Sequence, residues 1–400
     1  MTRQHLIAAF SALPLLAAGG LLYAGPLDPP AGPVAPTYKT LTEVEPRTAI
    51  NATNTPGDAT SLFKITQRGS YYLTGNITGV VGKHGVEIVA SGVTLDLNGF
   101  DLVGIPAMGA FDGVSVTVAG LTNIAVVNGS VRNWGGDGVD LRTVILTDCR
   151  VEGVYASGNA SNGISAGNGG TLANCSANSN TGSGFSTGIG CTLVNCSARS
   201  NTGTGISTSF GCTLTNCSAT TNGGAGFTTS ATCTLNNCAA DANTGNGIST
   251  GAGCTVANCS ASSNLASGIN AATGTTVADC TARANTLDGI LCSSGCVIHL
   301  NTCSGNGNGA GDGAGIHATQ SDNRIEGNNC TGADRGIDVD AASNFIIKNT
   351  CSGNTTDWDI LANNVYGPIL DRRVPISAAV LGVSGPGSLG TTDPNANFTY

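Results

Sequence analysis

Three residues that can move protons or hold a cation stand 21 positions apart in turn: His317, Asp338 and Asp359, with Asp340 two places after Asp338. If the chain repeats with that period, the three stack on one face about 5 Å apart, the spacing of neighbouring strands. Stacked carboxylates raise one another's pKa, which suits acid–base chemistry or a divalent cation. Cleavage of glycosidic bonds commonly uses such carboxylate pairs. His317, Asp338, Asp340 and Asp359 are therefore the candidate catalytic residues, with Arg324, Glu326, Asp334 and Arg335 expected in nearby strands or turns. A lone histidine disfavours a transition metal, so calcium is the cation to consider. The plainer reading is a charged end that keeps coil edges soluble and prevents end-to-end stacking.

The cysteines raise a second chemical question. Cys175, Cys196, Cys217, Cys238, Cys259 and Cys280 are 21 residues apart, and Cys191, Cys212, Cys233 and Cys254 keep the same period. Cys-x4-Cys is not a zinc spacing. Two arrangements stay open. Cys191–Cys196, Cys212–Cys217, Cys233–Cys238 and Cys254–Cys259 could form disulfides within each coil, the default outside the cytoplasm. Against that, Gly170 and Thr275 stand where Cys175 and Cys280 would need partners. An inward ladder of free thiols, packing as small hydrophobes, is the favoured expectation.

The elements that must position these residues follow from the repeat. A Gly-Φ pair, where Φ is a large apolar residue, tracks the cysteines from Gly163-Ile164 through Gly184-Phe185 and Gly205-Ile206 to Gly289-Ile290. Upstream, Val114, Val139 and Ile164 are 25 apart; downstream, Ile290 to Ile316 is 26, and Ile316, Ile337 and Trp358 return to 21. Insertions of four or five belong in turns, because a strand that absorbed them would lose its register. Within a repeat, Ile206-Ser207-Thr208, Cys212-Thr213-Leu214 and Cys217-Ser218-Ala219 alternate with period two, and Gly, Asn, Ser and Thr fill the gaps. Three short strands and three turns make a triangular coil, and stacked coils make a right-handed parallel β-helix of about 12–13 coils. Ile206, Cys212, Leu214, Cys217 and Ala219 should point inward, and Thr171, Thr192, Thr213, Thr234, Thr255 and Thr276 outward. Asn174, Asn195, Asn216, Asn237 and Asn258 should form an amide ladder at one turn, and Asn180, Asn201, Asn222, Asn243, Asn264 and Asn285 another.

Composition agrees with a thin stacked core: 59 Gly in 400 residues, 4% aromatic, 10% charged and 40% hydrophobic. A net charge of −9 supplies no basic stripe for nucleic acid. Residues 1–24, with Arg3 ahead of the apolar run Leu6–Leu22 and small residues near Ala24, read as a signal peptide, after which no membrane span is expected. Residues 25–84 read as a linker and N-terminal cap, including an amphipathic segment at Thr40–Ile50. Residues 85–363 read as the helix and 364–400 as a C-terminal cap or tail.

These columns, together with Gly92–Gly99, resemble the parallel β-helix repeat proteins of the pectate-lyase-like superfamily. Gly25–Pro30 and the closing Ala396–Tyr400 resemble the ends of secreted bacterial members without a characterised activity. The resemblance implies fold and export; it does not imply an activity, because the scaffold hosts lyases, hydrolases, epimerases, adhesins and structural proteins. Polygalacturonase-like motifs do not appear: Gly315-Ile316-His317 is not Gly-His-Gly, and Ile346-Ile347-Lys348 only echoes Arg-Ile-Lys. A full calcium-dependent pectate-lyase set is likewise missing.

The leading expectation is an extracellular or cell-surface, non-catalytic helix that binds polysaccharide or serves a surface or matrix layer. The alternative is a lyase or hydrolase acting on a uronate-type polysaccharide at His317, Asp338, Asp340 and Asp359. Trp134, Tyr155 and Trp358 are the candidate sugar-stacking platforms. Asn-x-Ser/Thr at Asn174, Asn195, Asn216 and Asn258 is explained by turn ladders without glycosylation. A single Thr per coil beside Leu does not match the paired Thr arrays of ice-binding helices.

Overall fold

Short β-forming triplets alternate with residues that adopt positive φ, so the chain turns a corner every few residues. In the coils from Asn174 to Leu300, one corner residue after another lies near φ 54°: Asn174, Asn195, Asn216, Asn237, Asn258, Asp279 and Leu300. Asn and Asp tolerate that region and fill this corner in all of these coils but the last, while a second corner puts Ser179, Ser200, Thr221, Ala242, Ser263 and Ala284 in the same region. The computed structural model describes residues 45–142, 147–307, 313–371 and 392–400. The segment read as a signal peptide lies outside the described residues.

Residues 47–400 form one all-β unit, a parallel β-helix of about 15 turns. That exceeds the 12–13 coils expected, because pairing already begins at Thr48–Ala49 and continues past Asn364. Fourteen strands stack in one sheet, from Ser61–Ile65 to Thr356–Ile360. The other two sides of the triangle, for example Thr171–Ala173 and Ser176–Asn178, are continuous through the long bent strands Ile124–Arg132 and Arg150–Ser157. The register holds at 21 through the middle: Ile164 faces Phe185, Phe185 faces Ile206, and Ile206 faces Phe227. Val139 faces Val114 and Ile316 faces Ile290, so the insertions fall between strands as expected.

The inward columns are dry. Ile206, Cys212, Leu214, Cys217 and Ala219 are all at most 1% exposed. The invariant glycine of each Gly-Φ pair has a steric cause. A Cβ on Gly184 would lie 2.7 Å from the Gly205 carbonyl oxygen and 2.8 Å from the Asn201 amide. Only a hydrogen atom fits there.

Three ladders tie the corners together. At the exposed one, Asn195 donates to Asn174 (3.1 Å) and Asn216 to Asn195 (3.3 Å). Asn258 departs from it and donates to Asn236. At the buried one, the Asn201 backbone N–H donates to Asn222 Oδ1 (3.1 Å), and Asn222 Nδ2 donates back to the Ala198 carbonyl (3.2 Å).

The cysteines form the third kind, and their job is the same. The Cys191 N–H donates to Cys212 Sγ (3.3 Å), and Cys212 Sγ–H donates back to the Gly188 carbonyl (3.2 Å). The Cys175–Cys280 column passes directly into Asn301, Asn328, Asn349 and Asn397: Cys280 N–H donates to Asn301 Oδ1 at 2.9 Å, and Asn301 N–H to Asn328 Oδ1 at 2.9 Å. Thiol and carboxamide each supply one acceptor and one donor to the preceding coil. All sixteen cysteines are free and buried. In-coil disulfides do not form, since Cys191 and Cys196 stand on either side of the strand Thr192–Val194, whose rise of about 3.3 Å per residue holds them beyond the roughly 7 Å that a disulfide spans.

Within the segment read as N-terminal cap, Thr48–Ala49 is a strand paired with Tyr71–Tyr72. Within the segment read as a C-terminal cap or tail, Val365–Tyr366, Ile369–Asp371 and Asn397–Thr399 add strands to the stack.

Candidate functional site

The fourteen-strand sheet presents one outward residue per coil immediately after Φ. In the middle coils that column is Ser186, Ser207, Thr228, Ser249 and Asn270, half-buried or exposed hydroxyls and an amide one strand spacing apart. Toward the end of the chain it becomes Leu291, His317, Asp338 and Asp359, brought into direct register by pairing.

His317 is the hub. Its Nε2 lies 2.9 Å from Asp340 Oδ2 and 3.8 Å from Asp338 Oδ2, and its Nδ1 lies 3.5 Å from Asp288 Oδ1. Asp288 beside the ring, followed by the other carboxylates, pushes the His317 pKa up to about 9. The imidazole is therefore protonated at neutral pH, with its Nε2–H donating to Asp340 Oδ2 and its Nδ1 side ion-paired with Asp288. Arg335 joins the fourth candidate to the cluster, with Nη1 3.1 Å from Asp338 Oδ2 and Nε 2.9 Å from Asp359 Oδ2. Asp338 is 4% exposed, and burial pushes its carboxyl pKa up although His317 and Arg335 oppose the shift. Asp340 and Asp359 have exposed side chains. The four predicted residues thus come together. Asp288 and the bridging position of Arg335 were not anticipated.

Asp288 was legible all the same. It belongs to an Asp-Gly-Φ triplet that occurs three times in the helix: Asp112-Gly113-Val114, Asp137-Gly138-Val139 and Asp288-Gly289-Ile290. Each Asp uses one oxygen to accept the backbone N–H of the next coil: Asp137 N–H to Asp112 at 2.7 Å, Asn162 N–H to Asp137 at 2.8 Å, Ala314 N–H to Asp288 at 2.9 Å. Each then faces a cationic or ionisable side chain on the outward side. His84 lies 3.3 Å from Asp112, Arg142 2.7 Å from Asp137, and His317 beside Asp288. A second charged cluster therefore stands at the other end of the same face. It includes Asp140, bonded to Arg142, and the Lys64–Glu87 pair at 3.0 Å. Burial raises the Asp140 carboxyl pKa. Eight strand spacings, about 40 Å, separate Asp140 from His317.

His317, Asp338 and Asp340 offer ligand atoms within 4.8 Å of one another. Calcium takes six to eight oxygens. Here one of three donors is a ring nitrogen, and His317 and Arg335 already engage the carboxylates, so the set fits calcium poorly.

The aromatic platforms separate cleanly. Trp134 is 1% exposed and donates to the Leu102 carbonyl (3.1 Å), so it is core and offers no stacking surface. Tyr155 is 60% exposed. Trp358 is half-buried and donates to Thr399 Oγ1 at 2.8 Å.

No family model matches the chain, and no curated protein matches it in sequence. Solved structures do share its fold. The A-module of the Azotobacter vinelandii mannuronan C-5 epimerase AlgE6 superposes with a TM-score of 0.54 at 16% identity, over 74% of this chain and 89% of that one. The AlgE4 A-module gives 0.50 at 16% identity, over 75% and 91%. At that identity the likeness is one of fold: an all-β parallel helix of stacked coils.

Proposed function

We propose that the protein binds polysaccharide outside the cytoplasm along the outward face of the fourteen-strand sheet, without turnover. The observation that carries this reading is the composition of that face. A row of hydroxyls and an amide, Ser186 to Asn270, repeats at the strand spacing of about 4.8 Å between two charged clusters. A regular polar row suits a ligand that is itself a regular polar polymer. Each carboxylate of the two clusters faces a cation or a backbone N–H, as expected of a surface built to be rigid. The fold shared with mannuronan epimerase modules supports a polymeric sugar ligand.

A second reading, cleavage of a uronate-type polysaccharide, is favoured by the shifted groups at one spot. Protonated His317 can donate, burial raises the Asp338 carboxyl pKa beside it, and exposed Asp340 and Asp359 are acceptors. Arg335 and His317 would face a uronate carboxylate.

The two readings separate on incubation with uronate and neutral polysaccharides, with and without calcium. Retention on a polysaccharide with no new reducing ends or unsaturated products is the expected outcome. Products that vanish in Asp338→Ala would overturn it in favour of cleavage.

A further inference from the structure

The last turn of the helix breaks sequence order. Ile369–Asp371 does not pair with Thr350–Ser352, the equivalent strand of the preceding coil. Asn397–Thr399 lies between them, parallel to both: Phe398 is in register with Thr350 on one side and with Leu370 on the other. Residues 372–396 separate this strand from the one it pairs with, so it enters the stack as a piece of its own.

Its fit is specific. Phe398 N–H donates to the Asn349 carbonyl (2.9 Å) and Asn397 N–H to the Pro368 carbonyl (2.7 Å). Asn397 extends the buried ladder, accepting the Asn349 N–H at 2.9 Å and donating to the Gly367 carbonyl at 3.0 Å. Thr399 accepts from Trp358, and Tyr400 Oη donates to Asn329 (3.0 Å). Asn397 is fully buried, and Ala396 and Thr399 are at most 3% exposed. A Cβ on Gly367 would collide with the Asn395 carbonyl oxygen, so the wall is shaped to let this segment pass.

An extended peptide held by main-chain bonds on both edges, with side-chain pockets that select its sequence, is strand addition. We infer that the gap between Thr350–Ser352 and Ile369–Asp371 is a strand-acceptor site for Ala396–Tyr400, and that the partner it takes in trans is the same segment of a second copy of the chain. The selective contacts match a sequence that every copy carries. Exchange is nearly free in contact energy, because bonds made in cis and in trans are the same. Residues 372–396, at most roughly 3.3–3.6 Å each when extended, give ample reach to a neighbour.

Fluorescence anisotropy of a labelled peptide with the sequence of residues 392–400 tests the site on the full-length chain. Asn397→Ala, whose own strand is weakened, should take up the wild-type peptide, and a peptide carrying the same Asn-to-Ala change about tenfold less well. Uptake of neither peptide, or of both equally, by an Asn397→Ala chain with an unchanged circular dichroism spectrum would overturn the site. Thr399→Val serves if that variant fails to fold. Mixing donor- and acceptor-labelled wild-type chains should give energy transfer, lost when an excess of the unlabelled 392–400 peptide occupies the site. Peptide uptake without such transfer would overturn the second copy as the partner.

Discussion

The coils around Ser207 and those around His317 have the same backbone and opposite surfaces. In both, Φ packs inward at 0% exposure and the next residue faces out from the fourteen-strand sheet. Around Ser207 that outward residue is a hydroxyl that the strand neither needs nor resists. Around His317 it is one of several charges that hold each other across coils. The inward and corner positions pay for stacking, and the outward column is thereby free to vary. A solenoid separates these roles because each coil contacts only its neighbours. Chemistry can be concentrated in a few coils without disturbing the rest.

Three experiments press on that contrast. The largest effect belongs to the middle coils, at a corner. Asn222→Ala removes the acceptor for the Asn201 N–H and the donor to the Ala198 carbonyl, both buried. We expect a loss of about 2–4 kcal/mol in urea unfolding, since orphaned buried polar groups bear their full desolvation cost. A loss below about 0.5 kcal/mol would mean that the corner ladders do not carry the stacking.

The next effect belongs to the charged coils and depends on pH. The folded pKa of His317, about 9, lies above the value near 6.5 expected unfolded. A raised pKa contributes stability that is complete below about pH 6.5 and lost as pH rises through 9. The wild-type chain should lose roughly 2–3 kcal/mol across that window from this group. His317→Gln should be flat there by comparison. Equal pH profiles for the two would show that the cluster does not hold the proton.

The smallest effect is expected at the cysteines. Cys259→Asn keeps an acceptor for the Cys238 N–H and a donor to the Leu235 carbonyl, in a column that itself changes from Cys to Asn at residue 301. It should cost no more than about 1 kcal/mol, whereas Cys259→Val, which has neither function, should cost more. If the order is reversed, the thiols act as hydrophobes and not as ladder groups.

Much of this architecture is legible in the residues themselves. A strict 21-residue period and two-residue alternation leave few ways to bury Ile206, Leu214 and Ala219, so inward columns, stacking and the convergence of His317, Asp338 and Asp359 all follow from counting. Other features are not visible to counting, because they depend on what crosses between coils. A cysteine reads as a disulfide or a hydrophobe until the Cys280 N–H is seen to bond Asn301 where its predecessors bond sulfur. Trp134 reads as a platform until its indole is found in the core. Arg335 reads as a neighbour in a strand or turn until its guanidinium is seen to bridge Asp338 and Asp359, and the role of Asp288 emerges only where His317 meets it from the next coil.

The sequence by itself determined the coil, its repeat and the sides its residues face, because those are set by local alternation and by glycines that only one register accommodates. Tertiary structure decided the rest. It fixed the protonation of His317, since that depends on carboxylates gathered from three other positions. It also placed Asn397–Thr399 ahead of Ile369–Asp371, since strand order across a long separation is set by which segment best completes the ladder, and not by which comes next in the chain.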